Sequence, residues 1–307
     1  MSSMKNPVLS KELRATARRP RLVLGLFVFN TVLAFMVVAV FRLNFYISAS
    51  EVSYSNVIRF FSWIEIAEFL LLAFIVPSLM AGSIAGEREK QTLDILLTTP
   101  MSTLTIIVGK LLASTGTILL FIFSSLPIMS VVFLIGGVGL FDIVLIVVYA
   151  CVFAIYIGSI GIFFSSIFRR TIFATITTYG ACVFTCVLPY VAYWIGYWIY
   201  LSGDDGLSDG FQVPGWLLLL GLFSPVDSLV SMLSYQIAGN TWYRQICLLN
   251  INVDSFWQSV NTGEWMCASM LLQMLVAAVL ILLSAKILEP VKAEKKHWKI
   301  EEKNVYF

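Results

Sequence analysis

Long apolar runs separated by short charged segments dominate the chain. A helix needs about 20 apolar residues to cross the hydrocarbon core of a bilayer. Six charge-poor runs reach that length. The predicted membrane-spanning helices are 22–41, 63–85, 103–135, 143–168, 171–200 and 265–288. This pattern predicts an all-α integral membrane protein in which residues 1–307 form a single transmembrane domain.

A further apolar segment lies between the last two spans, but it is too short to cross. Gly221 interrupts it, and Ser224 and Pro225 follow. A serine cap, a proline at the first helical position and Asp227 in the first turn are typical of a helix start. We therefore predict two short re-entrant helices within an extracellular loop, 201–264.

The composition agrees with a membrane location. Charged residues make up 12% of the chain and hydrophobic residues 59%, whereas a soluble domain has roughly 25% charged residues. A soluble fold of this length cannot bury so much apolar surface. The composition therefore excludes a soluble enzyme, a disordered protein and a secreted disulfide scaffold.

Basic residues predict the orientation. With six spans both termini lie on one side, and 17 of the 20 lysines and arginines fall on that side. Positive residues favour the cytoplasmic side. A seventh span at 211–235 would move the six lysines from Lys286 onwards outside. We predict cytoplasmic termini, with an amphipathic helix within 1–21 on the membrane surface and a tail, 289–307.

Small residues and prolines mark two further features of the spans. A row of glycines and serines on the fourth span predicts close packing against a neighbouring helix. The row comprises Gly158, Ser159, Gly161, Ser165 and Ser166. Two prolines, Pro127 and Pro189, predict kinks in the third and fifth spans.

The segment 86–102 follows the second span and combines alternating acids and bases with apolar residues at helical spacing. This pattern predicts an amphipathic helix with its charged end free for a partner. Pro100 ends that helix, and Ser102 is placed to cap the third span. Taken alone, the charge run also fits a solvated intracellular loop.

The order of residues in this segment resembles a known family. Gly86-Glu-Arg-Glu-Lys-x-Thr92-Leu-Asp-x-Leu-Leu-x-x-Pro-x-Ser102, followed by Gly109-Lys110, is similar to the cytoplasmic signature of ATP-binding cassette (ABC) exporter permeases of the second type. Asn6-Pro7-Val8-Leu9 resembles the start of the family's N-terminal amphipathic helix, and Ser224-Pro225 resembles its outer re-entrant helices. Many relatives have Gly where this chain has Gln91.

The resemblance implies a membrane-spanning permease subunit that moves a substrate outward across a bacterial cell membrane. Segment 86–102 would be a coupling helix that docks on a separate ATPase (nucleotide-binding) subunit. A second permease subunit, identical or homologous, completes the path through the lipid bilayer, and no nucleic acid is involved. The implied ATPase interface consists of Glu87, Arg88, Glu89, Lys90, Gln91, Thr92, Leu93, Asp94, Leu96, Leu97, Pro100 and Ser102.

The chain is not predicted to be an enzyme. A phosphate-binding loop needs Gly at 104 and Ser or Thr at 111 before and after Gly109-Lys110, but Leu104 and Leu111 stand there. No catalytic triad or metal cluster can be assembled from the sequence. We expect no cofactor on this chain, and ATP and Mg in the partner ATPase.

Two acidic residues, Glu65 and Glu68, lie three residues apart near the outer end of the second span. Ionisable residues within a membrane are candidates for a transport pathway. Ser62 and Glu65 also fit a capping box, which is a structural role. The sequence leaves both interpretations open.

A stand-alone secondary transporter or channel is the alternative function. Such a protein needs titratable or ion-coordinating residues along a path in the middle of the membrane. Apart from Glu65 and Glu68, the spans offer almost none. The scarcity of charge therefore favours an energy source outside this chain.

Overall fold

Helices account for almost all of the described structure. The computed structural model describes residues 20–46, 54–93, 102–135, 139–202, 212–213, 218–237, 252–253 and 262–305. The helices are α1 (Pro20–Tyr46), α2 (Tyr54–Glu89), α3 (Thr103–Ile135), α4 (Leu140–Ile167), α5 (Thr171–Ser202), α6 (Pro225–Ile237) and α7 (Thr262–Val305). A 3₁₀ turn, Leu219–Phe223, precedes α6, and the two-residue strands β1 (Gln212–Val213) and β2 (Asn252–Val253) pair in parallel.

Six of these helices, α1 to α5 and α7, are long and apolar enough to cross a membrane. The predicted all-α membrane fold is therefore confirmed. Two helices extend furthest beyond the predicted spans: α2 already begins at Tyr54 and continues to Glu89, and α7 continues through the predicted tail to Val305. Most of the predicted N-terminal helix, 1–19, lies outside the described residues.

Helix α4 lies at the centre of the bundle and packs against α2, α3, α5 and α7. Its side chains Phe153 and Ile157 are completely buried. In contrast, α1 and α5 present large apolar side chains on the outside, including Phe27, Phe35 and Ile172. An apolar exterior matches a lipid environment, because lipid tails offer no hydrogen-bond partners.

The small residues of α4 allow α2 to approach closely, as predicted. A Cβ atom added to Gly161 would lie 2.8 Å from the Cβ of Met80, and one added to Gly158 would lie 2.8 Å from the Cε of Met80. At the same contact, the Ser165 hydroxyl accepts hydrogen bonds from the backbone N–H groups of Ile84 (3.0 Å) and Ala85 (2.8 Å). Packing and polar contacts thus fix α2 against α4.

Prolines interrupt the hydrogen-bond ladders of three spans. Pro127 and Pro189 lie inside α3 and α5, as predicted, and Pro77 lies inside α2. A proline within a helix removes one backbone donor and disturbs the preceding turn. In α2 the hydroxyl of Tyr179 donates to the Phe74 carbonyl oxygen at 2.5 Å, so a neighbouring helix supplies a donor beside Pro77.

The predicted start of the second short helix is confirmed. Helix α6 begins at Pro225, and the Ser224 hydroxyl accepts a hydrogen bond from the Asp227 N–H at 3.4 Å. The 3₁₀ turn Leu219–Phe223 corresponds to the first predicted short helix. Both pack against α7.

Candidate functional site

Three consecutive charged residues at the end of α2 contact three different helices. Glu87 contacts α3, Arg88 contacts the end of α4, and Glu89 contacts the beginning of α5. We call these contacts the α2 junction. It lies at the end of the bundle that the basic residues predict to be cytoplasmic.

Glu87 forms an ion pair with Lys110 of α3. The Lys110 ammonium donates to Glu87 Oε1 at 2.8 Å and to the Ser83 carbonyl oxygen at 3.1 Å. The side chains of Lys110 and Glu87 are 6% and 25% exposed. A charge so far removed from water needs a partner of opposite sign, and Glu87 supplies it.

Arg88 closes the C-terminal end of α4. Its guanidinium group donates to the carbonyl oxygens of Ser166 and Phe168, each at 3.2 Å. The last carbonyl groups of a helix have no partner within the helix and carry partial negative charge. A cation from α2 therefore satisfies the end of α4.

Glu89 performs the opposite task at the start of α5. Its carboxylate accepts hydrogen bonds from the Thr171 N–H at 3.0 Å and from the Thr171 hydroxyl at 2.9 Å. The first N–H groups of a helix lack partners and favour negative charge. Glu89 thus caps α5 from a different helix.

Helix α2 ends just after these contacts. Gln91 has φ of 57°, and the Thr92 N–H donates to the Glu87 carbonyl oxygen at 2.9 Å. This is the bond of a Schellman motif, which places its left-handed residue at Gln91 and usually has Gly there. The position for which the resemblance implies Gly is therefore the position that adopts positive φ here.

The structure corrects one expectation for segment 86–102. Glu87 and Arg88 bind α3 and α4 within the chain, and their predicted contact with a partner stays a prediction. A single helix does not begin at 86, because residues 86–89 form the last turn of α2 and the left-handed Gln91 ends it. The apolar residues on which that prediction rests begin at Leu93, which lies after the end of α2 and is again helical.

The remaining predicted interface residues divide into three groups. Leu93 is buried, whereas Lys90, Gln91 and Thr92 are exposed. Ser102 is exposed and caps α3, as predicted, by accepting from the Thr105 N–H at 3.2 Å. Four residues lie outside the described structure: Asp94, Leu96, Leu97 and Pro100.

A polar cleft of about 350 Å³ lies beside the α2 junction, between α2 and α3. Ser83, Glu87 and Lys90 line it from α2, and Lys110 and Ser114 line it from α3. Rearrangement of the α2 junction would therefore change the shape of this cleft.

Glu65 and Glu68 lie in the interior of the bundle and are 3% and 4% exposed. Ser62 does not cap a helix, because α2 begins at Tyr54. The capping-box interpretation is therefore wrong.

Within the described residues no group of three His, Cys, Asp or Glu side chains could hold a metal ion.

A polar network joins α6 and α7, and sequence reasoning missed it. The Gln273 amide donates to the Ser228 hydroxyl at 2.6 Å and to the Ser224 carbonyl oxygen at 3.3 Å. Asp227 accepts from the Trp265 indole N–H at 3.0 Å, and burial raises the pKa of Asp227 to about 7. A lone glutamine within an apolar run was the only available signal.

Comparison with known proteins identifies one similarity. A family model described as ABC-2 family transporter protein matches residues 7–289, which is nearly the whole chain. No curated protein matches the chain.

Proposed function

The chain belongs to the ABC-2 transporter family, and from this premise we propose that it is the membrane-spanning permease subunit of an ATP-driven exporter. As a member of that family it is a component of membrane transport. Outward movement of the substrate, a separate ATPase subunit that binds ATP and Mg, and a second permease subunit are the further elements of the proposal. The chain itself carries no hydrolytic role in it.

The α2 junction is the observation that carries this proposal. A motor outside the membrane must transmit force to several spans at once. Through Glu87, Arg88 and Glu89, the end of α2 is bonded to α3, α4 and α5. A displacement of this end therefore acts on four helices together.

The proposed docking surface is the exposed turn that follows the junction. Lys90, Gln91 and Thr92 are exposed, and the Schellman bond fixes their backbone to the end of α2. An ATPase that binds this turn and the residues up to Ser102 would push on a rigid helix end. Glu87 and Arg88 then transmit the movement and do not contact the ATPase.

Association with an ATPase tests the proposal directly. We expect the tagged full-length chain, purified from its native membrane in mild detergent, to carry a subunit with ATPase activity. Reversal of one charge in the docking turn, Lys90→Glu, should reduce the recovered ATPase activity by about tenfold, equivalent to about 1.4 kcal/mol of binding. Lys286→Glu, an exposed charge on α7, is the matched control and should leave it unchanged.

Transmission is tested separately at Arg88. Arg88→Gln should retain the ATPase subunit but weaken the bonds to α4, so the permease should no longer alter the rate of ATP hydrolysis. Loss of the ATPase from Arg88→Gln but not from Lys90→Glu would contradict the proposed division of roles. Transport by the purified chain without any ATPase would favour a secondary transporter.

A further inference from the structure

A small cavity encloses Glu65 and Glu68 in the half of the bundle remote from the α2 junction. The cavity measures about 10 Å³, close to the minimum that holds one water molecule. Helices α2, α4 and α6 surround it through Phe69, Tyr149 and Leu229, among others. Two acidic side chains therefore face an almost dry, mainly apolar space.

The two contacts of Ser125 bear on the protonation state of Glu68. The Ser125 oxygen lies 2.7 Å from the Ile122 carbonyl oxygen and 2.7 Å from Glu68 Oε1. A serine hydroxyl has one hydrogen and can donate only one strong bond. The carbonyl can only accept, so both contacts are satisfied when Ser125 donates to Ile122 and a protonated Glu68 donates to Ser125.

A separate observation indicates that the carboxyl group of Glu65 is also uncharged. Its Oε1 atom is buried and has no hydrogen-bond partner in the described part of the chain. A carboxylate oxygen without a donor or water is strongly unfavourable. Residues three apart on a helix are neighbours, so a negative charge on Glu65 would also repel one on Glu68.

Within the described part of the chain, the groups around the cavity supply no compensating charge. Among the described residues that line the cavity, Tyr149 is the only other titratable group, and its hydroxyl donates to the Pro225 carbonyl oxygen at 2.7 Å. No lysine or arginine of the described structure lines the cavity.

We propose that Glu65 and Glu68 form a proton-binding site that is uncharged while α2, α4 and α6 surround the cavity. The Glu68 O–H group donates to the Ser125 hydroxyl, and Glu65 is protonated in the apolar cavity. If α2, α4 and α6 separate, water reaches the carboxyl groups, an O–H bond breaks, and the proton passes to water and leaves a carboxylate. This last step rests on the proposed transport function.

Infrared spectroscopy tests the site without an ATPase. The full chain in lipid nanodiscs at neutral pH should show the C=O absorption of protonated carboxyl groups, which ionised carboxylates lack. Glu68→Gln and Glu65→Gln should each remove part of this absorption. Ser125→Ala should shift the Glu68 component to higher frequency, because the carboxyl group loses its hydrogen-bond partner.

Two controls make the assignment specific. Glu264→Gln removes an exposed carboxyl group of α7 and should leave the absorption unchanged. Asp227→Asn identifies the contribution of the buried acid on α6.

Two results would overturn the proposal. The first is an absorption that is unchanged in Glu68→Gln. The second is a wild-type protein that sodium stabilises more than choline does, when Glu68→Gln shows no such difference. Either result would leave the ATPase association unaffected, so the two proposals fail separately.

Discussion

At Gln91 a side chain occupies a backbone conformation that favours glycine. A left-handed residue other than Gly costs roughly 1–2 kcal/mol, and Gly at the end of a helix avoids this cost. We expect Gln91→Gly to raise the free energy of unfolding by about 1 kcal/mol, measured as a higher melting temperature in nanodiscs.

Lys90→Gly is the matched control for Gln91→Gly. Lys90 is the preceding residue and does not have positive φ, so glycine there only adds flexibility to the unfolded and folded chain. We expect a loss of about 0.5–1 kcal/mol. An equal effect of the two substitutions would contradict the role of the left-handed backbone.

Asp227 predicts a pH dependence of stability. Its pKa rises from 3.8 to about 7 because of burial, which outweighs the hydrogen bond from Trp265. The folded protein therefore binds this proton more tightly than the unfolded chain. The contribution of Asp227 to the free energy of unfolding is therefore fully present below pH 3.8 and is lost as the pH rises towards about 7.

We expect Asp227→Asn to reduce this pH dependence, because an amide does not titrate. The measurement is the melting temperature of wild type and variant as a function of pH. Exposed Glu264, changed to Gln, serves as the control and should retain the slope of the wild type. A variant with the full slope of the wild type would show that another group is responsible.

Between elements, the contact of α2 with α4 is sensitive to side-chain size. A Cβ on Gly161 would meet the Cβ of Met80 at 2.8 Å and the Ala81 backbone nitrogen at 3.3 Å, so rotation of the Met80 side chain cannot relieve the clash. We expect Gly161→Val to destabilise the protein by about 1–3 kcal/mol. In the described structure no atom beyond the adjoining backbone of α5 lies within 4 Å of a Cβ added at Gly180, so Gly180→Val should have a smaller effect on the melting temperature.

The ion pair between Glu87 of α2 and Lys110 of α3 also contributes to the stability of the bundle. Lys110→Met leaves the half-buried Glu87 without its cation, and we expect a loss of about 2 kcal/mol in stability. Adding Glu87→Gln should recover part of that loss, since no unpaired charge then remains. Additive effects of the two substitutions in a double-mutant cycle would show that the pair is not coupled.

For the whole molecule, the distribution of basic residues predicts the orientation in the membrane. In a cysteine-free background, Lys90→Cys and Lys286→Cys should react with an impermeant maleimide only in inside-out vesicles. Glu264→Cys should react in intact cells. Labelling of Lys286→Cys and Glu264→Cys from the same side would contradict six spans, because α7 would not cross.

Local features were predicted well from the sequence. The six long helices, the start of α6 at Pro225 and the cap at Ser102 depend on residues within one turn or one span. The partners of Glu87, Arg88 and Glu89 were not predicted, because they lie 23 to 82 residues away along the chain. A charge run with distant partners has the same sequence pattern as a charge run without any.

The sequence by itself determined that the protein lies in a membrane, how many spans it has and where several helices end. These features depend on the length of apolar runs and on local capping. Only the tertiary structure decided which faces pack together, which charges pair at the α2 junction, and that Glu65 and Glu68 are enclosed. In a soluble helix the buried face is revealed by hydrophobic periodicity. Lipid and protein interior are both apolar, so a spanning helix carries little of that signal.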